Sequence, residues 1–346
     1  MEMNINITEQ IAKIQSSNHF SGTVFVKDEQ RVLADVSYGY ANRSEQLKNQ
    51  TTSRYGIASG CKLFTSIAIC QLVEEGRLSF DTTIGECLDL DFPYIDEKIT
   101  IHHLLTHTSG IPDYFDEEVM DDFEELWVKN PMYQLRSLSD FLPLFQNEHM
   151  KSPKEEQFHY NNAGYILLGL IVEQVSGHVF SDYVEERIFK EAGMLNSGYF
   201  SFDSLPPGTA VGYIDNSDGT WKTNIYSLPV KGGSDGGAYV TANDMGRLWE
   251  ALMKHRLLNE ALTNQLLTAH TQVAEDSFYG YGIWIKKNEQ GVFKYHVMGY
   301  DPGVSFHSAF FPNSSLIVVV CSNKSTGAFD IMGGIEEELK RVQAFN

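Results

Sequence analysis

The 346-residue chain has no run of 18 consecutive apolar residues, about the length a helix needs to cross a bilayer. Its first stretch, MEMNINITEQIAKIQSSNHF, lacks a basic start followed by an apolar segment. The sequence therefore predicts no membrane span and no signal peptide, and a cytoplasmic location is the expectation that follows. Cations are scarce: 26 Lys and Arg stand against 46 Asp and Glu, a formal net charge of −20. Such a field repels phosphate backbones and anionic lipid, which argues against nucleic acid or an acidic membrane surface as the main partner. The four cysteines, Cys61, Cys70, Cys87 and Cys321, show neither metal-ligand nor disulfide spacing, as expected of free thiols in a reducing compartment. Internal repeats and low-complexity segments are absent, and the glycine-rich GGSDGG at 232–237 lacks the Gly-Lys-Ser/Thr of a phosphate loop.

What is present suffices for a sizeable core, since 42% of the residues are hydrophobic. Thr8 to Ser16 reads as a short amphipathic helix with Ile11 and Ile14 inward. SGTVFVKDEQRVLADVSYGYAN then alternates around Asp28, Glu29 and Gln30, the pattern of a β-hairpin. Helices and long loops follow: TIHHLLTHTSGIPDY is a short helix stopped by Gly110 and Pro112, and NAGYILLGLIVEQVSG a longer one closed by Gly177. From Tyr281 onward strands return as YGIWIKK, VFKYHVM, GVSFHSAFF and SLIVVVCS, ahead of a C-terminal helix, IMGGIEEELKRVQ. The expected fold class is α/β in the α+β sense, with one antiparallel sheet built from both chain ends and flanked by helices. The expected domains are a discontinuous sheet domain, 1–58 with 236–346, and a mostly helical domain, 59–235, with the active site at their junction.

The stretch SGCKLFTSIAICQLVEEG raises the chemical question. Apolar residues cover most of the helix circumference between Ser59 and Glu75, so the helix is interior. Gly76 suits its C-terminal cap and Ser59 its N-cap. Lys62 stands where a capping box would place Glu or Gln, with its charge at the positive end of the helix dipole. Residues three apart share a helix face, so the Lys62 amine can reach the Ser59 hydroxyl. Burial and the helix N-terminus both disfavour an ammonium there, and a neutral amine can accept the serine proton. The Ser59 N–H can then help hold an oxyanion. Ser-x-x-Lys is a nucleophile signature for this reason, although alone it is a short motif.

Further motifs in order give it context: IASGCKLFTS, HLLTHTSGIP, YNNAGYILLG and GGSDGGAYVTANDM. Their succession resembles the serine hydrolase family of class C β-lactamases, D-alanyl-D-alanine peptidases and related esterases, the penicillin-binding-protein-like group. The likeness extends from about Phe20 to the C-terminal helix. It implies a β-lactamase/transpeptidase-like fold and an acyl-enzyme mechanism with no cofactor and no metal. By resemblance the Tyr-x-Asn motif is Tyr160 and Asn162, Tyr160 sharing the serine proton with Lys62 and Asn162 orienting the substrate amide. Which of Lys62 and Tyr160 is the base is left open. Tyr40 and Asn42 form a second Tyr-x-Asn before the nucleophile, where the family shows no chemistry.

The third motif departs from the family pattern. Lys or His, one residue, then Gly is expected shortly before Pro-Gly, and the sequence reads YHVMGYDPGV. Pro302 and Gly303 align Gly299 with the motif glycine and put Val297 at the cationic position, one residue after His296. A shift of one residue on a strand reverses the face, so His296 can serve only if a bulge turns it inward. Loss of the cation would penalise substrates bearing a carboxylate most. The Tyr300 N–H, just after the motif glycine, is by resemblance the second oxyanion donor. Lys324 in NKSTG reads as a turn residue. His103 and His107 share a spacing of four but lack an adjacent Glu and a third ligand, so with His102 they are expected to brace the loop beneath the site rather than bind zinc. Cys61 points away from Ser59 around the helix.

The expected substrate-binding set is thus Asn162, His296, Gly299 and Tyr300 around the catalytic Ser59, Lys62 and Tyr160. The expected partner is a small molecule or short peptide: a β-lactam, a D-alanyl peptide or a small ester. The competing expectation is a binding module of the same fold for peptides or cell-wall fragments, with catalysis eroded at HVMG.

Overall fold

The computed structural model describes residues 7–120 and 122–344. Residues 1–6, on which part of the expectation about a leader rests, lie outside the described residues. The hairpin forms as its alternation suggests, from Gly22–Lys27 (β1) and Val32–Tyr38 (β2). Asp28 Oδ1 fixes the turn by accepting from the Gln30 and Arg31 N–H groups at 2.8 and 2.7 Å. The C-terminal part adds Thr271–Ala274 (β3), Ser277–Tyr279 (β4), Trp284–Asn288 (β5), Gly291–Asp301 (β6), Val304–Phe311 (β7) and Leu316–Ser322 (β8). β3 and β4 are short and only weakly alternating, and the sequence pattern does not anticipate them. The eight strands lie in the order β2-β1-β8-β7-β6-β5-β4-β3, every neighbouring pair antiparallel.

The helices that matter for the site are Ile7–Asn18 (α1), Lys62–Glu74 (α2), Ile101–Leu105 (α3), Asn162–Ser176 (α4), Ala242–Met253 (α5) and Ala328–Ala344 (α6). The two-residue period of the strands divides the apolar side chains between two cores. Val24, Val26, Val318 and Val320 face α1 and α6, where they meet Ile11, Ile331 and Ile335. Phe25, Val319, Phe306 and Val297 face the other way, onto α5 and the helical middle. Trp249 of α5 is fully buried and donates from Nε1 to Ser308 Oγ on β7 at 2.7 Å, which fixes helix to sheet.

α2 passes through the larger core and packs on α4. Both helices stop at a glycine in the left-handed region, Gly76 at φ 69° and Gly177 at φ 77°. The architecture is mixed α/β, an antiparallel sheet from both ends of the chain with helices on either face. Among the described residues no single helix is long and apolar enough to cross a membrane.

Candidate active site

The nucleophile helix begins differently from its sequence signature. Ser59 is not an N-cap: Ala58–Cys61 form a 3-10 turn, and the α-helix starts at Lys62. The chain is held instead by the glycine-rich loop. Ile57 N–H donates to Ala238 O at 3.0 Å and Gly237 N–H to Ala58 O at 3.3 Å, while Ala58 takes a left-handed φ of 45°. That conformation is uncommon for a residue with a Cβ. Freed from capping, the Ser59 hydroxyl turns toward Lys62, whose Nζ lies 3.0 Å from Ser59 Oγ.

Lys62 is 1% exposed and its amine is enclosed by acceptors. Besides Ser59 it meets Asn162 Oδ1 at 2.8 Å and the Asp235 carbonyl oxygen at 2.9 Å. Two of its hydrogens are thus directed at groups that can only accept, and the third tetrahedral position points at the nucleophile. Asn162 is the first residue of α4, whose cap is Asn161, with Oδ1 accepting from Gly164 N–H at 2.7 Å. The Asn162 Nδ2 faces Phe115 O at 3.1 Å and Asp113 Oδ2 at 3.4 Å, so its donors are occupied by the protein. Asn162 Oδ1 also holds the Lys62 amine, and the residue lines the cavity that opens onto Ser59, where a substrate amide would lie.

The Tyr160 phenol is hydrogen-bonded to Ser59, and burial pushes it well above its ordinary range. Its ring lies 4.8 Å from Lys62 Nζ and stacks at 6.2 Å on Trp284. Below it lies His107, 4.4 Å away between ring centres, held at a left-handed φ of 58°. His107 Nδ1 accepts from Asn161 N–H at 3.0 Å, and burial drives the imidazole well below its usual pKa, so it is a neutral brace. The other two histidines diverge from it. His103 binds Thr100 and Glu155, and His102 Nδ1 lies 2.9 Å from the Tyr281 hydroxyl.

Gly299 places β6 against the nucleophile. A Cβ there would lie 2.1 Å from Ile57 O and 2.7 Å from Ser59 N, so only glycine permits the approach. The next strand residue, Tyr300, lines the cavity that opens onto Ser59. His296 is absent from this site. The β6–β7 register runs unbroken from Tyr295↔Phe310 to Asp301↔Val304, so no bulge turns His296 inward. The strand irregularity falls earlier, opposite Lys286 and Lys287, and leaves Phe293 as the extra residue. His296 Nδ1 therefore meets His307 Nε2 at 3.1 Å on the α6 side, near Lys294 and Glu336. Val297 occupies the face toward Ser59. The other decoys are also remote: Asn42 Oδ1 accepts from Glu45 N–H at 3.0 Å, and Lys324 pairs with Asp215 at 2.9 Å.

A family model described as Beta-lactamase matches residues 8–338. The chain belongs to that family. Its members are serine hydrolases acting on amides and esters. A penicillin-binding protein of Bacillus subtilis is 29% identical over 325 residues, covering 89% of this chain and 69% of that protein. The crystal structure of a penicillin-binding protein from Bacillus halodurans superposes with a TM-score of 0.92 at 60% identity, covering 94% of this chain and 99% of the other. The octameric penicillin-binding protein homologue from Pyrococcus abyssi gives 0.84 at 25% identity over 96% of this chain and 77% of its own. The β-lactamase/transpeptidase-like fold is thus established.

Family motifs do not disclose everything around Ser59. The cavity opening onto it encloses about 750 Å³ counted to its mouth, and Glu117, Asp235 and Asp301 line it with aromatic residues. Asp113, beside it, is pushed up to about 7 by burial although it accepts from Asn162 and Ala163 N–H at 2.8 and 2.9 Å. Asp235 accepts from the Tyr114 hydroxyl at 2.5 Å. In GGSDGG the glycines are the sequence signal, and nothing in the local pattern announces that Asp235 gives its carbonyl to Lys62 and its carboxylate to Tyr114. The only signal for Asp301 was its place two residues after Gly299, on the same strand face.

Proposed function

We propose that this chain is a cofactor-free serine acyl hydrolase of small esters or amides, with Ser59 as nucleophile and Lys62 as general base. The observation that carries the reading is the 3.0 Å approach of Lys62 Nζ to Ser59 Oγ, with Asn162 Oδ1 and Asp235 O holding the amine from behind. A neutral amine in that cage keeps its lone pair for the serine proton. Ser59 Oγ adds to the carbonyl carbon as that proton passes to Lys62, and the N–H groups of Ser59 and Tyr300 receive the oxyanion. The carbonyl then re-forms, the C–N or C–O bond breaks, and the proton reaches the departing amine or alcohol through Tyr160. Water repeats the addition and releases the acid. The raised Tyr160 phenol remains protonated, which supports a relay rather than a phenolate base.

Val297 at the motif position supports neutral esters and amides over substrates whose carboxylate needs a cation, hence esterase or amidase action over carboxypeptidase action. The four buried free cysteines support a reducing, cytoplasmic setting. The acidic composition supports a small molecule or short peptide, not nucleic acid, as partner.

Intact mass spectrometry after treatment with a fluorescent penicillin or an activated phosphonate tests the nucleophile, alongside turnover of p-nitrophenyl acetate. The expected result is one adduct and measurable turnover, both lost in Ser59→Ala. An adduct without turnover identifies a binding module instead. No adduct on the wild type, or an adduct that persists in Ser59→Ala, overturns the assignment.

A further inference from the structure

The cavity above Ser59 is unbalanced in charge. Among the described residues its lining includes Glu117, Asp235 and Asp301 but no Lys, Arg or His. Lys62 lies beneath, already engaged by Ser59, Asn162 and Asp235. Two of the neighbouring carboxylates have protein partners: Asp113 takes the backbone N–H groups at the start of α4, and Asp235 takes the Tyr114 hydroxyl. Asp301 differs from them. Among the described residues its side chain has no hydrogen-bond or ion-pair partner.

Its position along β6 gives this meaning. Val297, Gly299 and Asp301 alternate onto one face, and Asp301 pairs with Val304, itself a wall of the cavity. Gly299 touches the Ser59 backbone. Two strand residues span about 7 Å, so Val297 and Asp301 lie on either side of Gly299 along the strand that meets the Ser59 backbone. One flank carries Val297 where the family pattern places a cation, and the other holds a carboxyl group that feels the Lys62 charge but has no hydrogen-bond or ion-pair partner among the described residues. The walls beside it include Phe115, Phe123, Phe202, Tyr239 and Tyr300. Aromatic faces with an unpaired carboxylate at their end suit an organic ammonium.

We propose that this pocket selects acyl groups carrying a free ammonium, the amides or esters of amino acids, with Asp301 receiving the cation and Glu117 reinforcing it at the rim. This assignment rests on the serine hydrolase reading above. Burial, together with Asp235 and Glu117, pushes Asp301 up to about 8, and the charge of an incoming ammonium opposes that rise.

The test compares p-nitroanilides of D- and L-alanine with their N-acetyl and N-succinyl derivatives, each assayed on wild type, Asp301→Asn and the exposed-site variant Glu117→Gln. Turnover of p-nitrophenyl acetate is measured in parallel. For at least one enantiomer the free-ammonium substrate is expected to exceed its N-acetyl form in kcat/KM by tenfold or more, with the N-succinyl form slowest. Asp301→Asn is expected to collapse that ratio toward one, and Glu117→Gln to reduce it severalfold. A ratio of one or less in the wild type, or a ratio unchanged in Asp301→Asn, overturns the proposal. If the acetate ester is hydrolysed through Ser59 while the ammonium preference is missing, the hydrolase reading survives and this one falls. If no substrate turns over, both fall. Should Asp301→Asn not fold, an unchanged ratio in Glu117→Gln counts against the proposal, and inhibition of acetate-ester hydrolysis by alaninamide, weakened in Glu117→Gln, counts for it.

Discussion

His296 and Val297 are neighbours in the chain and look out from opposite faces of the sheet, His296 onto His307 at 3.1 Å and Val297 into the core beside the nucleophile. A histidine that sequence alignment sets one place from the family's cation therefore has no access to the reacting groups. His296→Ala is expected to change kcat/KM on a neutral ester by less than about threefold while lowering Tm, because it removes the 3.1 Å partner of His307 from a buried cluster. Steady-state kinetics with thermal unfolding check both halves.

Restoring the missing charge gives the converse. Val297→Lys is expected to raise the acylation rate by benzylpenicillin about tenfold or more relative to p-nitrophenyl acetate, since a carboxylate then finds a partner. Val297 is 2% exposed, so the substitution also costs on the order of 1–3 kcal/mol of stability. Stopped-flow labelling beside a denaturant melt measures the two effects.

Gly299→Ala introduces a single methyl where 2.1 Å separates it from Ile57 O. Either the strand or the nucleophile turn must retreat, which misaligns the N–H groups of Ser59 and Tyr300. A fall in kcat of roughly a hundredfold or more is expected, the scale of losing an oxyanion donor, with CD spectra little changed.

Lys62 and Ser59 act on one proton, so their deletions should not add. Lys62→Met is expected to lower kcat by about a thousandfold or more, and Ser59→Ala/Lys62→Met to be no slower than Ser59→Ala alone. Lys62→Met also strands Asn162 Oδ1 and Asp235 O, so a stability loss accompanies it.

The carboxylates beside the pocket carry a pH signature. Asp301 titrates near 8 when folded, against about 3.8 for an ordinary aspartate. The folded protein keeps that proton longer than the unfolded chain does, so this residue's contribution to stability falls as pH rises from about 4 to about 8 and is level beyond. Asp301→Asn lacks the titration and is expected to gain on the wild type across that window, by on the order of 1–3 kcal/mol at pH 8.5 and little at pH 4.5. Comparing the two proteins by urea unfolding at each pH isolates the residue from the histidines, which titrate in both.

Much of this arrangement is legible in the sequence, because local chemistry dictates it. Alternation predicts β1, β2 and β5 to β8, and the Ser59, Lys62 and Tyr160 motifs mark groups that do converge. What local pattern cannot show is which backbone crosses which. Ser59 reads as a cap until the loop at 232–237 is seen to hold Ile57 and Ala58 in its place. The role of His296 turns on a bulge whose position depends on pairing with β5, not on β6 itself. Asp235 and Asp301 are far apart in sequence, and the influence of the first on the second exists only after the sheet and the helical middle close on each other.

That closure also orders events during synthesis. Gly22 of β1 pairs with Ser322 of β8, and β8 carries β7 and then β6, the strand that lines Ser59. A ribosome-bound chain that has exposed Ser59 and Lys62 still lacks Tyr300 and most of the cavity lining. The last wall of the cavity, made by Tyr300, Asp301 and Val304, is therefore supplied only as the final strands emerge.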